Sequence, residues 1–227
     1  MVDLDPLRLI VGMTILLYAS YTDFKHREAE NFLWIIMGGF GVLFMAFAGY
    51  DLGLVAISIL LTIPMAIVLV FSGMGGADAK ALLAIAVLTP LIPHMNIGIE
   101  LPLWTAPVEL PFSIIVLINA LLLFLGIPLM FLLLNAARGD FEFPTALLGY
   151  KMRACDIVTS FVWPMEKIVE KKRIKTILPQ KNLDPAIFGG EVIWVTPKVP
   201  FLIPLTAGYF ISFIFGDILF CIISFFT

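Results

Sequence analysis

Charge is scarce in this chain, and so are the residues on which much hydrolytic chemistry depends. Of 227 residues, 14% are Asp, Glu, Lys or Arg, two are His and two are Cys. A soluble domain carries about a quarter charged residues, so the shortage excludes an ordinary water-soluble globule. No HExxH occurs, and His26 and His94 are too far apart in the chain to replace it, which excludes a metalloprotease site of that type. No G-x-S occurs and neither His lies in an apolar run, which argues against a serine hydrolase buried in lipid. Cys155 and Cys221 form no CxxC pair and are read as free thiols. A net charge of −3 without a long basic block gives no reason to expect nucleic acid as a partner. Internal repeats are also missing, including the inverted half-to-half symmetry common in carriers.

What fills the chain instead is apolar. Hydrophobic residues make up 61% of it, and the mean hydropathy is +1.05. A bilayer core takes about 20 apolar residues as helix, and six candidate runs meet or approach that length: 6–22, 32–49, 53–72, 78–93, 112–135 and 200–226. These are too many and too long for a secretory signal. The fourth is short and meets Pro90 and Pro93. Between the fifth and sixth lies a polar stretch, 139–198, with nine of the fourteen Lys and Arg residues. Within it EVIWVTP alternates like a strand. The expected fold is therefore an all-α polytopic membrane protein with a small cytosolic α/β segment between helices five and six. Its expected organisation is 1–138 as five helices, 139–198 as the basic segment and 199–227 as the last helix.

Basic residues orient the bundle. With both termini outside, Lys25, Arg27, Lys80, Arg138 and the basic segment all face the cytosol, and Arg8 alone falls outside. The opposite orientation would expose thirteen basic residues.

That topology brings two acids to one depth. Asp23 ends the first helix in ASYTDFKHREAEN, and Asp78 opens the fourth after SGMGGA. Acids at membrane depth are rare and tend to be functional. Two carboxylates in contact cannot both ionise cheaply, so one holds a proton while the other serves as base. Such a pair can deprotonate a water for attack on a peptide carbonyl and protonate the leaving amine. The helix ends favour Asp78 as the anion and Asp23 as the proton holder. Gly73, Gly75 and Gly76 permit close backbone approach and positive φ, which would admit an extended peptide. Each feature also has a plainer reading: Asp78 as a helix cap, Asp23 as an interfacial acid paired with Arg27 at i+4, the glycines as a turn. Asp140 reads as a loop or capping residue, and Asp217, toward the outer end of the last run, as a polar packing contact.

At these two stretches the sequence resembles the type IV prepilin peptidase family, membrane aspartyl proteases with a GxGD motif. DFKHREAEN matches the family's Asp, Arg and Asn spacing as Asp23, Arg27 and Asn31. GGADAK matches G-x-G-D-x-K as Gly75, Gly76, Ala77, Asp78 and Lys80, with Ala77 in place of the second motif glycine. The short length and the basic segment look most like the archaeal preflagellin peptidase branch. The resemblance implies Asp23 and Asp78 as the catalytic pair, and cleavage of pilin-like signal peptides at the cytosolic face of the plasma membrane. It implies no cofactor or metal, and, without CxxC motifs, no methylation. Substrate signal segments in the family are basic before the cut, so Glu28 and Glu30 are candidates to meet them, unless they merely balance Lys25 and Arg27. Lys80 either acts on Asp78 or snorkels. The rival readings are an ion- or proton-coupled transporter or channel using the same carboxylates, and a scaffold whose basic segment binds acidic lipid.

Overall fold

The structure, a computed structural model, describes residues 4–72, 74–96, 98–107, 110–169, 172–180 and 183–226. Four helices open the chain: α1 (Asp5–His26), α2 (Asn31–Ala48), α3 (Leu52–Phe71) and α4 (Gly76–Leu88). The short strands β1 (Met95–Asn96) and β2 (Glu100–Leu101) pair before α5 (Phe112–Ala137). Next come α6 (Thr145–Leu148), β3 (Tyr150–Arg153), β4 (Val162–Pro164), β5 (Glu166–Val169), β6 (Lys172–Lys175) and β7 (Val192–Pro197). The chain closes with α7 (Leu202–Ile214) and α8 (Ile218–Phe226). Two compact units divide it: residues 1–124 with 200–227, and residues 125–199.

α1, α2, α3 and α5 are long and apolar enough to cross a membrane. The remaining runs differ from expectation. α4 and α7 have 13 residues each, about 20 Å of helix at 1.5 Å per residue. The expected single span over 200–226 is two helices. Gly216, at φ 79°, turns the chain, and Asp217 caps α8 by accepting from the Phe220 N–H at 2.9 Å. Asn119 secures the break, donating to the Gly216 carbonyl at 2.8 Å. Asp217 is thus a capping acid, with its own N–H bound to the Trp104 carbonyl at 3.0 Å.

In the first unit α4 is the innermost element. Eight of its thirteen residues are buried, from Asp78 through Leu88, because α2 and α3 pack along it and α1 and α7 touch it. Its alanines allow this: small side chains let apolar helices approach where no hydrophobic effect drives them together. The approach is closest at Gly41 of α2, where a Cβ would lie 2.5 Å from the Val87 carbonyl oxygen. α1 is seamed to α7 by hydroxyls. Ser20 donates to the Leu202 carbonyl at 3.0 Å and meets the Thr206 hydroxyl at 2.7 Å. At the other end of α1 the Arg8 side chain is fully buried. It donates to the Tyr50 hydroxyl at 2.8 Å and lies 3.7 Å from Asp5.

The second unit is built on the end of α5. Asn135, buried there, donates from its side chain to the carbonyls of Ala146 and Gly149 at 2.9 and 2.7 Å. β7 forms the middle of a three-stranded antiparallel sheet between β3 and β4, and β5 and β6 form a separate hairpin. The strand expected from EVIWVTP is β7. Among the described residues of 139–198, helix is limited to the four residues of α6 and two 3₁₀ turns, Ala154–Thr159 and Pro185–Phe188, so this segment has more strand than helix. Asp140 is a loop residue, one of its two expected readings, and binds Lys151 at 2.6 Å. Cys155 and Cys221 are free thiols.

Candidate active site

Asp23 lies in the last turn of α1 and Asp78 in the first turn of α4. The two arrive at one end of the first unit and are near enough for the charge on Asp23 to act on Asp78. Local chemistry fixes each side chain. Gly75 is the N-cap of α4, so Asp78 stands at the third helical position. Its N–H donates to the Gly75 carbonyl at 3.1 Å, and its carboxylate lies close to the Gly75 backbone. Asp23 is held by the end of α1. The Arg27 N–H donates to the Asp23 carbonyl at 2.9 Å, and Arg27 takes φ 60°. Helices commonly end this way, with glycine in the left-handed position. Here an arginine occupies it, the one non-glycine residue at positive φ among those described. Its charge acts on Asp23.

Burial divides the pair unevenly. Asp78 is 5% exposed, whereas Asp23 is half-buried. The helix-end argument places the charge on Asp78, and the deeper burial of that carboxylate runs against it. The proton is therefore assigned to the pair rather than to either acid.

Two further motif residues meet across helices: Lys80 of α4 donates to the Asn31 side-chain oxygen, at the start of α2, at 2.7 Å. Ala77 is half-buried and packs on the core. Gly75 and Gly76 are exposed, and neither takes positive φ, contrary to expectation. A Cβ on Gly76 would meet nothing within 4 Å, and one on Gly75 would lie 3.6 Å from the Asp78 carboxylate. The two glycines therefore leave open surface beside Asp78 rather than a strained turn. Gly73 lies outside the described residues. Glu28 and Glu30 are exposed in the α1–α2 connector, and the side chain of neither is drawn into the pair.

One feature of the site is not legible from motifs. A groove of about 400 Å³ runs between α2 and α4 from Asn31 and Lys80 along Trp34, Ile35 and Leu83. Trp34 is buried, and its indole N–H has no acceptor among the described residues. Its signal in the sequence is only an aromatic three residues after Asn31.

Comparison with known proteins gives the family. The type IV leader peptidase family model matches residues 10–137, and that of the archaeal peptidase A24 C-terminus type II matches residues 180–218. The chain belongs to the type IV leader peptidase family, and it is a membrane protein and a peptidase. Among its relatives, the preflagellin peptidase of Methanocaldococcus jannaschii is 31% identical over 93% of this chain and 94% of its own. That of Methanococcus maripaludis is 31% identical over 92% and 94%, and that of Methanococcus voltae 26% over 91% and 94%.

Proposed function

We propose that this chain removes the leader peptide of preflagellin- or prepilin-like precursors at the cytosolic membrane face, as an aspartyl endopeptidase whose pair is Asp23 and Asp78. The observation that carries the reading is the convergence of these two acids, from helices separated by two others, at one end of a helical unit. One ionised carboxylate takes a proton from a water between the acids. The resulting hydroxyl attacks the peptide carbonyl carbon while the protonated partner hydrogen-bonds the carbonyl oxygen, and collapse of the tetrahedral intermediate passes a proton to the leaving amine. Arg27 fixes the end of α1 and so Asp23. The Lys80–Asn31 bond ties α4 to α2, and the open surface at Gly75 and Gly76 admits the scissile segment. The groove along Trp34 and Leu83 suits the apolar stretch after the cut, and exposed Glu28 and Glu30 suit basic residues before it.

The topology in this reading is six membrane passes, with α7 and α8 together making the last and both termini outside. Lys25, Arg27, Lys80 and Arg138 then lie on the cytosolic side with the active site. The test is cleavage of a preflagellin-type precursor by the full chain in vesicles, comparing Asp23→Asn, Asp78→Asn and Asp217→Asn. The first two should lose about 10²–10⁴-fold or more in rate and the third should cut normally. Full cleavage by either of the first two sinks the dyad. A wild type inert on every such precursor that conducts ions, with the flux lost in the same variants, establishes the transporter or channel alternative instead.

A further inference from the structure

The second unit presents an apolar and basic surface that the peptidase reading does not use. In the β5–β6 hairpin, Lys167 pairs with Ile174 and Val169 with Lys172. Since alternate strand residues share a face, these four lie together. Val169 and Ile174 are 41% and 43% exposed. The chain then bends through Thr176 to Ile177 and Leu178, which are 60% and 75% exposed. Lys167 and Lys172 form no ion pair among the described residues, whereas Arg173 and Lys175 are engaged by Glu166 and Glu142. Two lysines without an ion pair among the described residues thus share a face with Val169 and Ile174, and exposed Ile177 and Leu178 follow at the end of β6. Glu170 and Lys171, which join the strands, lie outside the described residues.

The position of this surface within its unit points to an occupant. The unit is built on the end of α5, an apolar helix of membrane-spanning length, through Asn135 and through Phe131, whose ring lies 6.1 Å from that of Tyr150. The foot of the hairpin is tied close to the same place, because Lys175 binds Glu142, five residues beyond the last residue of α5. A hairpin whose foot is tied at the end of a membrane helix lies within reach of lipid headgroups. There lysines meet phosphate and branched aliphatic side chains enter the acyl boundary.

We propose that the β5–β6 hairpin and the Ile177–Leu178 bend dock onto the surface of an anionic bilayer. Lys167 and Lys172 contact lipid phosphates, while Val169, Ile174, Ile177 and Leu178 enter the interface. This contact does not rest on the peptidase reading.

The test uses the full chain with Cys155 and Cys221 replaced by serine and a spin label on Leu178→Cys, reconstituted in vesicles. One set contains only zwitterionic phospholipid and the other about a third anionic phospholipid. Collision with oxygen and with a water-soluble nickel chelate reports depth. In anionic vesicles the label should be oxygen-accessible and nickel-protected. Each of Lys167→Glu and Lys172→Glu should reduce the immersed fraction at least about fivefold, as should purely zwitterionic lipid. A label open to nickel in both lipids, or shielded from both reagents as if packed on protein, overturns the proposal. Immersion indifferent to lipid charge and to both lysine reversals also overturns it, because recognition of anionic lipid is the claim.

Discussion

Arg27 holds a left-handed backbone conformation, φ 60°, at the end of the helix that carries Asp23, and glycine would adopt that conformation without strain. A non-glycine residue there costs about 1–2 kcal/mol. Glycine returns roughly 0.4–1 kcal/mol of that through its greater freedom in the unfolded chain. The attraction of the Arg27 charge for Asp23, lost in the same substitution, is worth about 0.3–0.5 kcal/mol at most. The net change in stability for Arg27→Gly is therefore between about 0.5 kcal/mol of loss and about 1.3 kcal/mol of gain, a change in Tm between about −2 and about +5 °C. Activity should move the other way. If the guanidinium is retained at a strained position because it orders Asp23, its removal should lower the cleavage rate about tenfold, or ~1.4 kcal/mol in the barrier. Arg27→Lys should keep part of the rate, since it restores a cation without the planar fork. Paired thermal unfolding in detergent and initial rates on one precursor decide the matter. Wild-type cleavage by Arg27→Gly refutes the role given to Arg27. A clear fall in Tm refutes the strain argument.

Other consequences are more local. Asp217→Ala should lose about 0.5–2 kcal/mol by removing the cap of α8, while Asp217→Asn, an equally good cap, should be near neutral; thermal unfolding of both checks this. Gly41→Ala drives a Cβ to 2.5 Å from the Val87 carbonyl oxygen, and should cost about 1–3 kcal/mol and separate α2 from α4, seen as a lower Tm. A double-mutant cycle on Lys80→Met and Asn31→Ala should show a coupling of about 0.5–1.5 kcal/mol in stability. In the second unit Lys175, and after it Lys151, hold the Glu142 carboxyl below its ordinary value near 4.5. A depressed carboxyl stabilises above its unfolded value and loses that contribution as pH falls through the folded one. Amide protection factors at Lys172–Lys175 should thus hold above pH 4.5 and fall on acidification below it.

The legible parts of this protein are the ones written locally. Asp23 and Asp78 stand out because an acid in an apolar run is costly wherever it lies, and the basic residues are enough to suggest that both share a face. EVIWVTP reads as a strand because its residues alternate. Its partners do not, since β3 and β4 are short and take their pairing from β7. The break in the last run was available in Gly216–Asp217, a helix stop followed by a cap, but an apolar stretch on both sides favours a single span. Arg27 at positive φ and the Lys80–Asn31 bond were not legible. The first violates the glycine preference that a reader would use, and the second joins residues that only the packing of α2 on α4 brings together. The glycines misled in part: at Gly75 and Gly76 they provide open surface, not an unusual backbone.

The central claim is that Asp23 and Asp78 act as one catalytic unit. Single-turnover cleavage of one precursor by wild type, Asp23→Asn, Asp78→Asn and the double variant tests it most directly, because residues that share a reaction step lose activity non-additively. The account predicts that each single variant falls nearly to the level of the double. Losses that multiply, or a single variant that keeps wild-type turnover, would contradict it.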